Sequence, residues 1–122
     1  MKFEDFFQGF YGSKRVDGIA SYYTVESCKR EGTSGIMANG KPLNDKAFTC
    51  ASWLYPFGTR LLVVNSVSGE RVEVEVTDRG PAKKLVEQGR IIDLSKAAFE
   101  SLAPLSWGLI HVCTFKIEKV EK

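Results

Sequence analysis

The sequence predicts a mainly β fold, a small barrel or sandwich of about six strands with one or two short helices. Short apolar segments alternate with polar residues, as half-buried strands do, and glycine, proline and asparagine separate them. A length of 122 residues is that of one ordinary domain, and 43% hydrophobic with 26% charged residues predicts a packed core. The strand count, the alternation and the turns together predict the fold class.

The N-terminal residues carry a stripe of phenylalanine at helical spacing. The stripe follows the i, i+3, i+4, i+7 pattern and consists of Phe3, Phe6, Phe7 and Phe10. We expect residues 1–17 to form an N-terminal helical extension and residues 18–122 to form the barrel domain. The stripe suits either packing on the domain or docking of a protein partner.

Strand and loop alternate from Gly18 onward. "IASYYTVE" predicts a first strand, and the Gly-rich residues 28–48 predict a long loop that forms one wall of a surface groove and is the most mobile part of the chain. "TRLLVVNS" is apolar at both parities, which predicts a strand covered on both faces. "SVSGE" predicts a hairpin turn.

The second half continues with a strand, a helix and a strand. Val72, Val74 and Val76 alternate with polar residues, so one face of that strand belongs to the core. "IIDLSKAAFESLA" has helical spacing, and Asp93 or Ser95 is suited to the N-cap. "LIHVCTFKIEK" predicts the closing strand.

Asp78 ends the alternating strand just before a Gly-Pro turn. It shares parity with the three valines, so a regular strand directs its side chain toward the core at the rim of the barrel. Desolvation there raises the pKa of a carboxyl toward the range of a general acid, while an ion pair with Arg79 lowers it. The alternative is an aspartate that caps the turn.

Charge and cysteine content narrow the class of function. A net charge of +2 without a basic patch argues against nucleic acid as a partner. The apolar runs are too short for a membrane span. Cys28, Cys50 and Cys113 lack CxxC spacing, so we expect no metal site and no cofactor, and either three semi-buried thiols or one disulfide with a free thiol.

Several blocks in one order resemble the rare lipoprotein A (RlpA) family. They are "GIASYY", "MANGKPLNDKAFTCAS", "LYPFGTRLLVVNSVSGERVEVEVTDRGP", "GRIIDLSKAAFESL" and "WGLIHV". The resemblance implies a six-stranded double-psi β-barrel, related to barwin and expansin domains. It also implies a lytic transglycosylase that acts on peptidoglycan glycan strands.

The resemblance assigns site residues position by position. The family's essential aspartate falls on Asp78, whereas Ser52 stands where the family has a histidine and Met37 where it usually has a threonine. His111, in the last strand, is no obvious substitute. The residues we expect to bind substrate are Thr49, Ser52, Tyr22, Tyr23, Trp53, Asn39 and Arg79.

A lytic transglycosylase needs only one carboxyl as acid and then base, which fits Asp78, whereas ordinary glycoside hydrolysis uses two carboxylates. Asp93 is the next carboxylate by resemblance, and its place before a helix favours a structural cap. The alternatives are a non-catalytic, expansin-like wall-binding domain and an interaction scaffold.

The expected place of action follows from the resemblance. It implies the cell wall, the periplasm or the extracellular space. The acidic Glu4 and Asp5 are unlike a secretory signal, which predicts a phage-encoded or processed chain.

Overall fold

The computed structural model describes residues 15–117. The predicted phenylalanine stripe therefore lies outside the described residues. The elements in chain order are β1 Arg15–Tyr22, α1 Val25–Arg30, β2 Thr49–Ala51, β3 Arg60–Asn65, β4 Arg71–Asp78, α2 Lys83–Glu87, β5 Arg90–Leu94, α3 Lys96–Glu100, a 3-10 turn Leu105–Trp107 and β6 Ile110–Lys116. Strand β1 begins before Gly18, so residues 15–17 pair within the barrel.

The six strands close into a barrel in the order β1-β5-β2-β4-β3-β6. The pairs β1–β5 and β2–β4 are parallel, and the remaining pairs are antiparallel. This is a double-psi β-barrel, which confirms the predicted fold class and decides between barrel and sandwich. The described residues hold three short α-helices, where one or two were expected.

The barrel interior is aliphatic, and the alternation predicted the part that β4 contributes. Leu61, Val63, Val74 and Val76 project inward and are fully or almost fully buried. On the outside of β3, Leu62 and Val64 are only half-buried. The described residues cover only the inner face of this strand, because no described element packs across its outer face. The expectation that it is covered on both faces stays a prediction.

Two helix starts differ from the sequence-based expectation. The first strand ends at Tyr22, because Thr24 caps α1 by accepting a hydrogen bond from the Ser27 N–H while the Ser27 hydroxyl accepts one from the Thr24 N–H. Ser95 caps α3 by accepting a hydrogen bond from the Ala98 N–H, and Asp93 remains in β5. The cap proposed for Asp93 is therefore wrong.

Residues 28–48 contain more structure than the predicted loop. They begin in the last turns of α1, and Ile36 and Pro42 form an antiparallel bridge that closes a small hairpin. Met37 and Leu43 are buried. The greater mobility of this segment stays a prediction.

No helix among residues 15–117 combines the length and the apolar character needed to cross a membrane.

Candidate active site

A β-bulge determines the direction of Asp78. Cys50 of β2 lies opposite Val76 of β4, but the next residue, Ala51, lies opposite Asp78, so Thr77 is an extra residue in β4. Opposed residues in a ladder share a face, and successive residues alternate between faces. Asp78 therefore points to the face opposite Cys50 and Val76. The core-side orientation expected from parity is wrong, because the strand is not regular at its end.

The same row brings a second carboxylate to the site. Ala51 also lies opposite Asp93 of β5, so Asp78 and Asp93 flank Ala51 on one face of three adjacent strands. Two strand spacings separate their Cα atoms, about 9–10 Å. Both residues line a groove of about 230 Å³.

The groove has two walls. Asp78, Asp93 and Arg79 contribute from the barrel, and the other wall comes from α1 and the segment after it. That wall includes Cys28, Glu31, Thr33, Gly35, Ile36, Met37 and Leu43. The prediction that residues 28–48 form one wall of a groove agrees with this lining.

Three donors hold the Asp78 carboxylate. The N–H groups of Ala38 and Arg79 both donate to Oδ1 at 2.8 Å, and the Tyr23 hydroxyl donates to Oδ2 at 2.9 Å. The Ala38 contact comes from the Ile36–Pro42 hairpin, so the far wall of the groove also positions Asp78. Burial and the neighbouring Asp78 charge raise the pKa of Tyr23, which therefore stays a hydrogen-bond donor.

Asp93 has a different environment. Burial raises the pKa of its carboxyl from the ordinary value of an aspartate. The Ser21 hydroxyl donates a hydrogen bond to Oδ1, and Arg90 Nε lies 3.9 Å from Oδ1, and both contacts oppose the rise. The charges of Asp78 and Glu31 add to the rise. The side chain is 21% exposed, so it is largely desolvated but still reaches the groove.

Because Gly80 has no side chain, the Asp93 carboxyl can lie close to it. A Cβ at Gly80 would lie 3.3 Å from the Ala51 Cβ and 3.4 Å from Asp93 Oδ2. A side chain there would have to displace one of these neighbours. The glycine after Arg79 therefore allows the turn to approach the second carboxylate closely.

The Arg79 guanidinium is held by contacts with residues 52–57. Its Nη1 donates to the carbonyls of Ser52 and Tyr55 at 2.7 and 2.8 Å, and its guanidinium stacks 4.1 Å from the centre of the Phe57 ring. Arg79 lines the groove and also fixes residues 52–57 beside it.

Two predicted aromatic residues point elsewhere. The Tyr22 hydroxyl donates to the Leu105 carbonyl at 3.1 Å, and its ring packs 4.8 Å from that of Phe99. Trp53 Nε1 donates to the Pro81 carbonyl at 2.6 Å, and Lys83 lies over its ring at 5.1 Å. Neither ring is among the described residues that line the groove.

Three polar residues predicted to bind substrate do not line the groove. The Ser52 hydroxyl is buried and accepts a hydrogen bond from the Leu54 N–H. Asn39 Oδ1 accepts one from the Lys41 N–H within the hairpin. Thr49 Oγ1 is buried without a hydrogen-bond partner in the described part of the chain, in the same strand as Ala51. Their roles in binding stay predictions.

The groove also contains Glu31, which sequence reasoning did not select and which follows α1 at the groove. Met37, which stands where the family usually has a threonine, lines the groove and contacts the extra residue of the bulge, since the Thr77 hydroxyl donates to its sulfur. The capping pattern of Thr24 and Ser27 was the available signal for α1 and hence for Glu31. His111 is exposed on β6 and does not line this groove.

The cysteines are unpaired, and burial raises the pKa of the Cys50 thiol. Among residues 15–117 no group of three or more His, Cys, Asp or Glu side chains could hold a metal ion.

A double-psi barrel with a carboxylate-lined groove beside a bulge defines the class of protein. A family model described as "Lytic transglycolase" matches residues 15–114. The chain belongs to this family of RlpA-like double-psi β-barrel proteins.

Two relatives illustrate the similarity. The chain is 39% identical over 100 residues to a probable endolytic peptidoglycan transglycosylase RlpA from Synechocystis sp., covering 81% of this chain and 28% of that protein. It is 36% identical over 96 residues to the endolytic peptidoglycan transglycosylase RlpA of Pasteurella multocida, covering 79% and 30%. The chain thus spans less than a third of the length of these relatives.

Solved structures show the same fold. The Streptomyces papain inhibitor has a TM-score of 0.63 and 26% identity, covering 87% of this chain and 96% of that one. The apo expansin of Clavibacter michiganensis has a TM-score of 0.60 and 21% identity, covering 88% and 52%.

Proposed function

We propose that this domain cleaves the glycan strands of peptidoglycan as a lytic transglycosylase and forms 1,6-anhydro ends. The observation that carries the proposal is the pair Asp78 and Asp93, which face one groove from either side of Ala51 in different environments. The names of the RlpA relatives support peptidoglycan as substrate and the periplasm or cell wall as the place of action.

Asp93 is suited to be the proton donor. Because burial raises the pKa of its carboxyl, it retains a proton at higher pH than an exposed aspartate does. A general acid needs that proton for the leaving group, and its efficiency is greatest when its pKa is near the working pH. Asp93 therefore donates to the glycosidic oxygen as the bond from that oxygen to C1 breaks.

Asp78 is suited to be the base. Its two oxygens accept hydrogen bonds from three donors, so the carboxylate is held in a fixed orientation in the groove. It takes the proton from the C6 hydroxyl while O6 bonds to C1 and closes the anhydro ring. No water is consumed, and solvent returns the proton from Asp78 to Asp93.

This division revises the role that the sequence predicted for Asp78 alone. From the sequence, both proton transfers were assigned to Asp78, because Asp93 was interpreted as a helix cap. Ser95 caps that helix, which leaves the Asp93 carboxyl available to the groove. Two carboxyl groups in different environments are a common arrangement for acid and base.

The test is product analysis with isolated substrate. The chain is incubated with peptidoglycan sacculi and with peptide-free glycan strands, and the products are identified by mass. Anhydro ends are expected. Asp93→Asn and Asp78→Asn should each reduce the rate about 10²–10⁴-fold, because general acid–base catalysis contributes that much.

Asp17→Asn is the matched control, since Asp17 is an exposed aspartate of β1 and does not line the groove. Activity lost in Asp78→Asn but kept in Asp93→Asn would return both steps to Asp78. Reducing ends would show that water attacks instead. Binding without products would favour the expansin-like alternative, with Ser52 in the histidine position as its cause.

A further inference from the structure

A second groove lies on the outside of the barrel. It has a volume of about 300 Å³ and is lined by Leu62, Val64, Arg71, Cys113 and Phe115. It shares no lining residue with the carboxylate groove. The proposed glycan chemistry therefore does not account for it.

The groove is lined mainly by the side chains of two neighbouring strands, β3 and β6. Leu62 lies opposite Phe115, and Val64 lies opposite Cys113, so these four side chains form two adjacent rows on the outer face of β3 and β6. All four are half-buried. These half-buried apolar side chains leave room on the sheet face for a further packing element.

The chain enters the barrel beside this patch. Arg15, the first residue of β1, lies opposite Phe115. The residues that precede Arg15 therefore start at the edge of the groove. Those residues carry the phenylalanine stripe, which matches an apolar groove in chemical character.

The distances allow the stripe to reach the groove. Strand β3 is two strand spacings from β1, about 10 Å, and residues 11–14 can span about 13 Å when extended. In a helix, Phe3 and Phe10 are about 10 Å apart along the axis, and the two rows of the groove are about 7 Å apart.

We propose that the N-terminal stripe of Phe3, Phe6, Phe7 and Phe10 packs on this outer groove of its own molecule. Packing of the stripe in the groove then stabilises the domain. While it is docked there, the stripe is unavailable to another protein. The occupant is the chain's own segment rather than a second copy or a partner.

The three native cysteines provide the test, and no reporter residue has to be introduced. Cys113 lies in the outer groove, Cys28 in the carboxylate groove, and Cys50 is buried in the barrel. Thiol alkylation of the full chain, followed by mass spectrometry of the peptides, measures each rate separately. In the double variant Phe6→Ser, Phe7→Ser we expect Cys113 to react about tenfold faster or more, because the groove opens locally.

The rates of Cys28 and Cys50 are expected to stay unchanged. A parallel rise at Cys50 reports global unfolding, and a second pair of variants then decides. Phe7→Cys should form a disulfide with Cys113 on mild oxidation, whereas Gln8→Cys, on the polar side of the stripe, should not.

Other outcomes overturn the proposal. Equal Cys113 rates in the parent and the folded double variant show that the stripe does not cover the groove. Protection of Cys113 that grows with protein concentration, or a disulfide found only between chains, assigns the groove to a second copy. Protection only after adding another protein assigns it to a partner.

Discussion

One extra residue, Thr77, determines which way the aspartate at the end of β4 points. In a regular ladder Asp78 would follow Val76 toward the barrel interior. The bulge turns Asp78 to the side of Ala51 and Asp93, and the Thr77 hydroxyl bonds to Met37 instead of facing solvent. The one extra residue of the bulge therefore brings the Asp78 and Asp93 side chains to the same face of the sheet.

The raised pKa of Asp93 links the groove to the stability of the barrel. The folded state holds the protonated form more tightly than the unfolded chain does, so this contribution to stability is complete below the unfolded pKa, about 3.9. It is lost as the pH rises through the folded value. Asp93→Asn should therefore be more stable than the parent at neutral pH, with a smaller difference near pH 4, measured by urea denaturation.

Asp17→Asn should show the opposite sign. The hydrogen bond from Arg15 lowers the pKa of Asp17, so its contribution is present above the unfolded pKa and is lost as the pH falls. That variant should be slightly less stable than the parent at neutral pH and equal to it in acid. An Asp93→Asn effect of the same size at both pH values would contradict the prediction.

Sequence reasoning found one of the two carboxylates for a partly incorrect reason. Asp78 was selected by its strand end and its motif, but its direction depends on the register with β2, which the local pattern does not contain. Asp93 was assigned to a cap because aspartate and serine are both good N-cap residues. The pairing of Asp93 with Ala51 keeps Asp93 in β5 and leaves Ser95 as the N-cap, and the sequence does not contain that pairing.

At the scale of elements, Arg79 joins the end of β4 to residues 52–57. It makes two hydrogen bonds from one nitrogen to main-chain carbonyls and stacks on Phe57. Arg79→Lys should lower the free energy of unfolding by about 1–3 kcal/mol, because an ammonium does not reproduce the planar guanidinium contacts. Denaturant titration measures the loss.

Arg60→Lys is the control for that change. Arg60 pairs with Glu73 at 3.7 Å, and both side chains are substantially exposed. Exposed ion pairs contribute about 0–1 kcal/mol, so this variant should differ little from the parent. An equal effect of the two substitutions would show that Arg79 does not clamp the loop.

Regular alternation predicted the elements best. The core positions of β4 were predicted by its alternating valines, whereas β3 is apolar at both parities and its inner face could not be distinguished from its outer face. Helix α1 was missed, because "YYTVE" favours a strand by composition while the Thr24 and Ser27 capping contacts end the strand locally.

At the scale of the whole molecule, the parallel pairing of β1 and β5 depends on close approach at Gly18. A Cβ at Gly18 would lie 2.6 Å from Ile91 Cγ2 and 2.8 Å from the Gly89 carbonyl oxygen. Gly18→Ala should destabilise the barrel by about 1–3 kcal/mol through overpacking, measured by thermal or urea unfolding.

Adding Ile91→Val should not recover that loss. Valine keeps both γ carbons that a Cβ at position 18 would meet, and the Gly89 carbonyl oxygen belongs to the backbone. Unchanged stability of Gly18→Ala would contradict the close approach.

The strand order of the closed barrel was not readable from strand positions alone. Neighbours such as β1 and β5 are far apart in the chain, and the local pattern of each strand is the same in a sandwich. The ordered motif blocks supplied the barrel topology through resemblance. The number of strands and the core face of the valines in β4 followed from the residues themselves.

The place of β1 in the barrel also has a consequence for how the protein is made. This first described strand pairs with β5 and β6, so a growing chain must be extended past Arg90 before β1 meets either partner, roughly several seconds after its synthesis. A message truncated before Ile110 would leave β1 and β3 each with an open edge. Open edges are templates for association between chains, so premature termination should yield aggregates rather than a smaller working domain.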